Sequence, residues 1–139
     1  MAEYFPLKVL TPTGIVFEGR ARQVTAIGPH GEFGVLADHI NFITALTPGL
    51  LKIEKDGGTV ETWVISGGLT EVKDGAMTVL ASGAQTPASI NRAQAEDEER
   101  AANQKMATIS FYDAGYPAAE EALLLARARI QASSAPAAR

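Results

Sequence analysis

A chain of 139 residues, 46% of them apolar, suffices for one compact domain with at most a small appendage, and lies far from the disordered range. Its net charge of −4 is spread over both halves, −3 across residues 1–86 and −1 across 87–139, so no basic stripe exists to neutralise a nucleic acid. With no cysteine, disulfides, thiolate metal sites and cysteine nucleophiles are excluded. The opening MAEYFPLKVL lacks a basic segment followed by a long apolar run, so no signal peptide is expected. No stretch reaches the roughly 20 apolar residues that cross a bilayer. The expectation is a soluble, cytoplasmic chain without direct membrane insertion, meeting a membrane only through a partner.

Up to about Thr86 the chain reads as short strands divided by turns, with twelve glycines spaced too tightly for ordinary helices. KDGG (55–58), between LLKIE and TVETWVI, predicts a hairpin with a primed turn, and KDG (73–75), between LTEV and AMTVLA, predicts a second. In AMTVLA, Met77 and Val79 alternate with Thr78 and Leu80. In TVETWVI large apolar residues fall on both parities (Val60 and Val64; Trp63 and Ile65), which predicts a strand covered on two faces. Many short strands at regular intervals predict a β-sandwich or flattened barrel over residues 1–86.

After Thr86 alanine supplies 16 of the last 53 residues, against eight of the first 86, and glycine falls to one. That shift predicts helices over residues 87–139. The first opens at SINRAQAEDEER, with Asn91 and Gln94 in a capping box, Ile90 as a weak staple onto Ala95, and Glu96 and Arg100 as an i,i+4 pair. TISFYDAGYP interrupts. A second helix is expected to start with Pro117 in its first turn and to run through AAEEALLLARARIQ, with Ala119, Ala122, Leu123, Ala126 and Ile130 as its apolar stripe. The tail ASSAPAAR is expected to fray. The fold class is therefore α+β, mainly β: a sandwich followed by an antiparallel two-helix hairpin.

His39 beside Asp38 is the sharpest suggestion of catalysis. Neighbours on a strand point to opposite faces, so the pair is a poor triad fragment, and Ser66 in SGGLTEV lacks the turn that exposes a nucleophile. His30 and His39 have no metal-ligand spacing and no completing acidic cluster. SGGLTEVKDG lacks the Lys-Ser/Thr end of a phosphate loop, and the glutamate of GEFG would repel phosphate. EDEER reads as a solvated helix face. Arg127 and Arg129 read either as anion contacts or, more simply, as charges complementing a last-turn dipole. The residues thus describe a contact protein better than an enzyme, without naming its partner. A β-sandwich recognition module with a helical oligomerisation tail, and a small hydrolase using His39 and Ser66, remain alternatives at this point.

GEFGVLADHINFITALTPG (31–49), SGGLTEV and MTVLA, in that order and followed by an Ala-rich helical hairpin, resemble the ε subunit of bacterial and chloroplast F-type ATP synthases, from about Tyr4 to Gln131. The resemblance implies a non-catalytic rotor subunit whose sandwich grips γ and stands on the polar loops of the c-ring. It implies a place on the cytoplasmic face of a bacterial inner membrane, peripheral through the proton- or sodium-translocating complex. Carried over by motif, Glu32 belongs to the region facing the c-ring, and His39 serves strand structure or a subunit contact. The hairpin would be a regulatory arm that folds on the sandwich or extends into the catalytic α/β hexamer to hold back ATP hydrolysis, where Arg127 and Arg129 would meet acidic segments.

Such an arm has a physical basis. Each alanine in place of leucine removes about 2 kcal/mol of burial, so a seam of Ala119, Ala122 and Ala126 docks shallowly, while alanine propensity keeps the helices formed. Some bacterial members of the family bind ATP through Ile/Leu-Asp-x-x-Arg-Ala at the first helix. Here the stretch reads Ile90-Asn91-Arg92-Ala93-Gln94-Ala95, with Asn91 for the aspartate and Gln94 for the arginine. Arg92 lies about 200° around the helix from Gln94 and does not substitute for it. The expectation is weak or absent ATP binding, with Asn91 and Gln94 kept as caps, and no cofactor.

Overall fold

The computed structural model of the chain describes residues 3–133. Ten strands come first: β1 (Phe5–Thr11), β2 (Gly14–Ala21), β3 (Gln23–Gly28), β4 (Gly31–Leu36), β5 (Phe42–Leu46), β6 (Gly49–Glu54), β7 (Val60–Ile65), β8 (Gly68–Lys73), β9 (Ala76–Ala81) and β10 (Ala84–Gln85). They form two five-stranded sheets, ordered β2-β1-β9-β8-β5 and β10-β7-β6-β3-β4. Among the described residues only β1 and β9 pair in parallel. Two helices follow, α1 (Arg92–Thr108) and α2 (Tyr116–Ser133). This is the α+β sandwich and helical pair that the sequence leads one to expect.

Period-two alternation decides which side of each strand is inside. Phe5, Leu7 and Val9 of β1, Met77, Val79 and Ala81 of β9, and Val72 of β8 meet Val24, Ala26, Val35, Leu51, Ile53 and Ile65 of the facing sheet in one buried core. A bulge in β2 opposite Val9 and Leu10 breaks the alternation. It lets both Val16 and Phe17 lean on the core and turns Ile15 outward.

Both predicted hairpins exist. Asp74 and Gly75 have φ of 51° and 79°, the left-handed pair that a primed turn demands. The KDGG turn differs from expectation: a 3-10 turn spans Asp56–Gly58, closed by Lys55 N–H donating to the Thr59 carbonyl at 2.8 Å. The second glycine of the run accounts for the change, since Gly57 and Gly58 both take positive φ and widen the loop.

β7 is covered on two faces, as its sequence predicts. Ile65 sits in the sandwich core, while Val64 joins Leu50, Ala128 and Ala132 in a second cluster where α2 lies on the outside of β6 and β7. Asn91 caps α1, its Oδ1 accepting from the Gln94 N–H at 3.0 Å, and Pro117 occupies the first turn of α2. Ile90 packs against the α2–sheet cluster.

Four expectations about the helices need correction. Ala122 is exposed, and the buried α2 residues are Ala119, Leu123, Ala126, Ala128 and Ala132, because α2 has two neighbours and buries two faces. Glu96 pairs with Arg92 at 3.0 Å and Arg100 with Asp97, so the predicted Glu96–Arg100 pair does not form. Arg127 and Arg129 lie before the last turn, because α2 continues to Ser133. Ala132 is buried in that last turn, where fraying was expected; residues 134–139 of the tail lie outside the described residues.

Candidate functional site

The two sheets present different outer faces. That of the second sheet carries α2 over Leu50 and Val64. That of the first sheet is left bare by the described residues. Across it the strand register aligns Ile15 with Leu10, Leu10 with Leu80, Leu80 with Leu69, and Leu69 with Ala45. One apolar row therefore crosses all five strands. Ile15, Leu80 and Leu69 remain 53%, 50% and 38% exposed, so the row is a contiguous exposed apolar strip instead of scattered apolar residues. The adjoining row, from Lys8 through Thr78 and Glu71 to Ile43, is mixed, with Lys8 paired to Glu18 at 3.4 Å. Sequence reading missed this surface. Its signal is Leu80, a large apolar residue on the parity opposite Met77 and Val79.

The two sandwich residues singled out in advance lie at different ends. Glu32 is exposed on β4, next to the two-residue turn Pro29–His30 that Gly28 and Gly31 close. His39 follows the far end of β4, in the turn before β5, with the strand from Glu32 to Leu36, roughly 13 Å long, between them. Asp38 and His39 are in a turn, not on a strand as supposed, with Asp38 at φ 65°. The imidazole Nδ1 is 2.8 Å from the Ile40 carbonyl, and the ring lies 4.9 Å from Phe42. Among the described residues no hydrogen bond joins His39 to Asp38 or Ser66, so the geometry offers a local brace. Nor do three His, Asp or Glu side chains gather as a metal set among those residues.

Four of the remaining candidates, Ile90, Asn91, Gln94 and Arg129, converge on a cleft of about 210 Å³ between β10, α1 and α2, lined also by Gln85 and Glu98. Ala95 is buried outside this lining, one turn along α1. Asn91 Oδ1 is engaged by the helix cap. Arg129, the cation of the cleft lining, donates from Nη1 to Glu98 Oε2 at 2.6 Å and from Nε to Gln85 Oε1 at 2.8 Å. Arg127 stands apart, 3.4 Å from Glu99.

Residues 4–87, more than half of the chain, match the family model described as ATP synthase, Delta/Epsilon chain, beta-sandwich domain. The chain belongs to the ATP synthase delta/epsilon chain family. It is 36% identical over 135 residues to the ATP synthase epsilon chain of Caldanaerobacter subterraneus subsp. tengcongensis, covering 96% of each chain. It is 34% identical over 133 residues to that of a Synechococcus strain, covering 91% of this chain and 94% of the relative. A higher identity, 45%, holds over 78 residues with the epsilon chain of Sulfurimonas denitrificans, where the match spans 56% of this chain and only 60% of the relative. The fold is also that of a chain in the Euglena gracilis mitochondrial ATP synthase, with TM-score 0.82 and 24% identity over 96% of this chain and 82% of the other. A chain of the Tetrahymena thermophila mitochondrial ATP synthase central stalk and c-ring matches at TM-score 0.60 and 20% identity, over 93% and 96%. This member of the epsilon chain family presents three distinct surfaces, the open sheet face, the β3–β4 turn and the docked hairpin. No helix among its described residues is long and apolar enough to cross a membrane.

Proposed function

We propose that this chain is a non-catalytic rotor subunit of an F-type ATP synthase, gripping γ through the bare face of its first sheet. The observation that carries the reading is the apolar row from Ile15 through Leu10, Leu80 and Leu69 to Ala45, left open while the opposite sheet is covered. Covering the exposed halves of its large side chains is worth about 1 kcal/mol apiece, enough to centre an interface that polar contacts then orient. A sandwich with a close-packed core is stiff, which is what transmitting torque requires. Glu32, at the β3–β4 end, faces the polar loops of the c-ring in this reading, and His39 braces the β4–β5 turn beside the γ contact.

The hairpin acts as a regulatory arm. It rests on alanines in the docked state, which supports a second, extended state within a few kcal/mol, reaching the α/β hexamer through Arg127 and Arg129 and slowing ATP hydrolysis. ATP itself is a weak ligand or none. The cleft formed by Ile90, Asn91 and Gln94 is below the roughly 300 Å³ of ordinary ligand pockets, and its arginine is engaged by Glu98. The complex works peripherally on the cytoplasmic face of a bacterial inner membrane.

Co-purification with γ tests the grip. Leu69→Asp with Leu80→Asp places two charges in the row without touching the core. The double variant should stay folded and lose γ at least 100-fold. If it retains γ at native affinity, the bare face is not the contact.

A further inference from the structure

We propose that Arg129 is a polar latch holding the helical hairpin on the sandwich, with Glu98 as the internal counter-ion that fixes it in place. One guanidinium joins three segments: it projects from α2, donates to Gln85 on β10 at 2.8 Å and to Glu98 on α1 at 2.6 Å. Its side chain is only 24% exposed, so both contacts are partly screened from water and tighter than a surface pair. Arg127 provides the internal comparison. It reaches only α1, at 3.4 Å to Glu99, with its side chain 55% exposed. Lifting the two helices together off the sheet leaves the Arg127 pair intact and breaks the Arg129–Gln85 bond.

The apolar part of the docking explains why a latch matters. α2 offers the sheet Ala128 and Ala132, with Leu125 at the margin, against Leu50, Val64 and Ile90. The helix brings mainly two methyl groups to this contact, so the Arg129–Gln85 bond forms a large share of what separates docked from undocked. Glu98 holds Arg129 in the rotamer that reaches Gln85. The latch stands whether or not the released arm inhibits anything, because it concerns only the docking equilibrium.

The absence of cysteine makes a clean reporter available. In a Val64→Cys background the thiol lies beneath α2, and its alkylation rate reads how often the arm lifts; a Val79→Cys background, inside the sandwich core, reads global opening. Arg129→Gln should speed alkylation at position 64 by tenfold or more, leave position 79 within twofold, and be matched in direction by Glu98→Gln. Arg127→Gln should change position 64 less than twofold. An unchanged rate at position 64 in Arg129→Gln overturns the latch, as does an equal rise at positions 64 and 79. Where Arg129→Gln does not fold, Glu98→Gln decides on the same criteria.

Discussion

Gly68 shows why a glycine can be legible as punctuation yet not as structure. SGGL reads as a turn, but the need for glycine comes from across the sheet: at φ 143°, a Cβ on Gly68 would lie 2.1 Å from the Leu80 carbonyl oxygen. No spacing rule announces that contact, because it joins β8 to a strand twelve residues later. Gly68→Ala should therefore destabilise the sandwich by at least about 2 kcal/mol, through strain and backbone displacement together. A urea midpoint equal to that of the native chain would remove this explanation. His39 teaches the complementary lesson. It lies in a turn, where its imidazole meets the Ile40 carbonyl, so the strand alternation first invoked for the Asp38–His39 pair does not apply. His39→Ala loses the ring contact with Phe42 and should cost about 0.5–1 kcal/mol in thermal unfolding, with γ still bound. Loss of γ would show that the imidazole itself makes the contact.

At the level of elements, strand patterns were readable wherever one neighbour defined inside and outside, and β7 even where there were two. The helices were harder. α2 buries Ala119, Leu123 and Ala126 as well as Ala128 and Ala132, the last two against the sheet, so one amphipathic stripe does not describe it. An alanine-rich segment offers little contrast between faces, which is why exposed Ala122 entered the expected stripe and buried Ala128 did not. The seam's closeness has a testable consequence. Ala126 is fully buried, so Ala126→Leu adds three carbons where none fit and should cost about 1–3 kcal/mol of hairpin docking. Hydrogen exchange should then accelerate in α1 and α2 while β1, β6 and β9 keep their protection. Uniform acceleration would mean that helices and sandwich are one cooperative unit.

For the molecule as a whole, the β and helical halves were legible from composition, but the bare apolar row was not. Leu10 is far in sequence from the hairpin pair Leu69 and Leu80 and becomes their neighbour only when the strand order β1-β9-β8 is known. The main core draws no residue from either helix. Removal of residues 87–139 should accordingly leave a folded sandwich that binds γ, and in the proposed complex it should raise the rate of ATP hydrolysis. An unchanged rate would strike the regulatory arm and leave the grip standing. The most direct test of the grip uses single cysteines in this cysteine-free chain, Leu80→Cys in the bare row and Val60→Cys, 44% exposed on the covered sheet, as the control. Adding γ should slow alkylation at position 80 by tenfold or more and leave position 60 unchanged; equal reactivity at position 80 with and without bound γ would contradict the central claim.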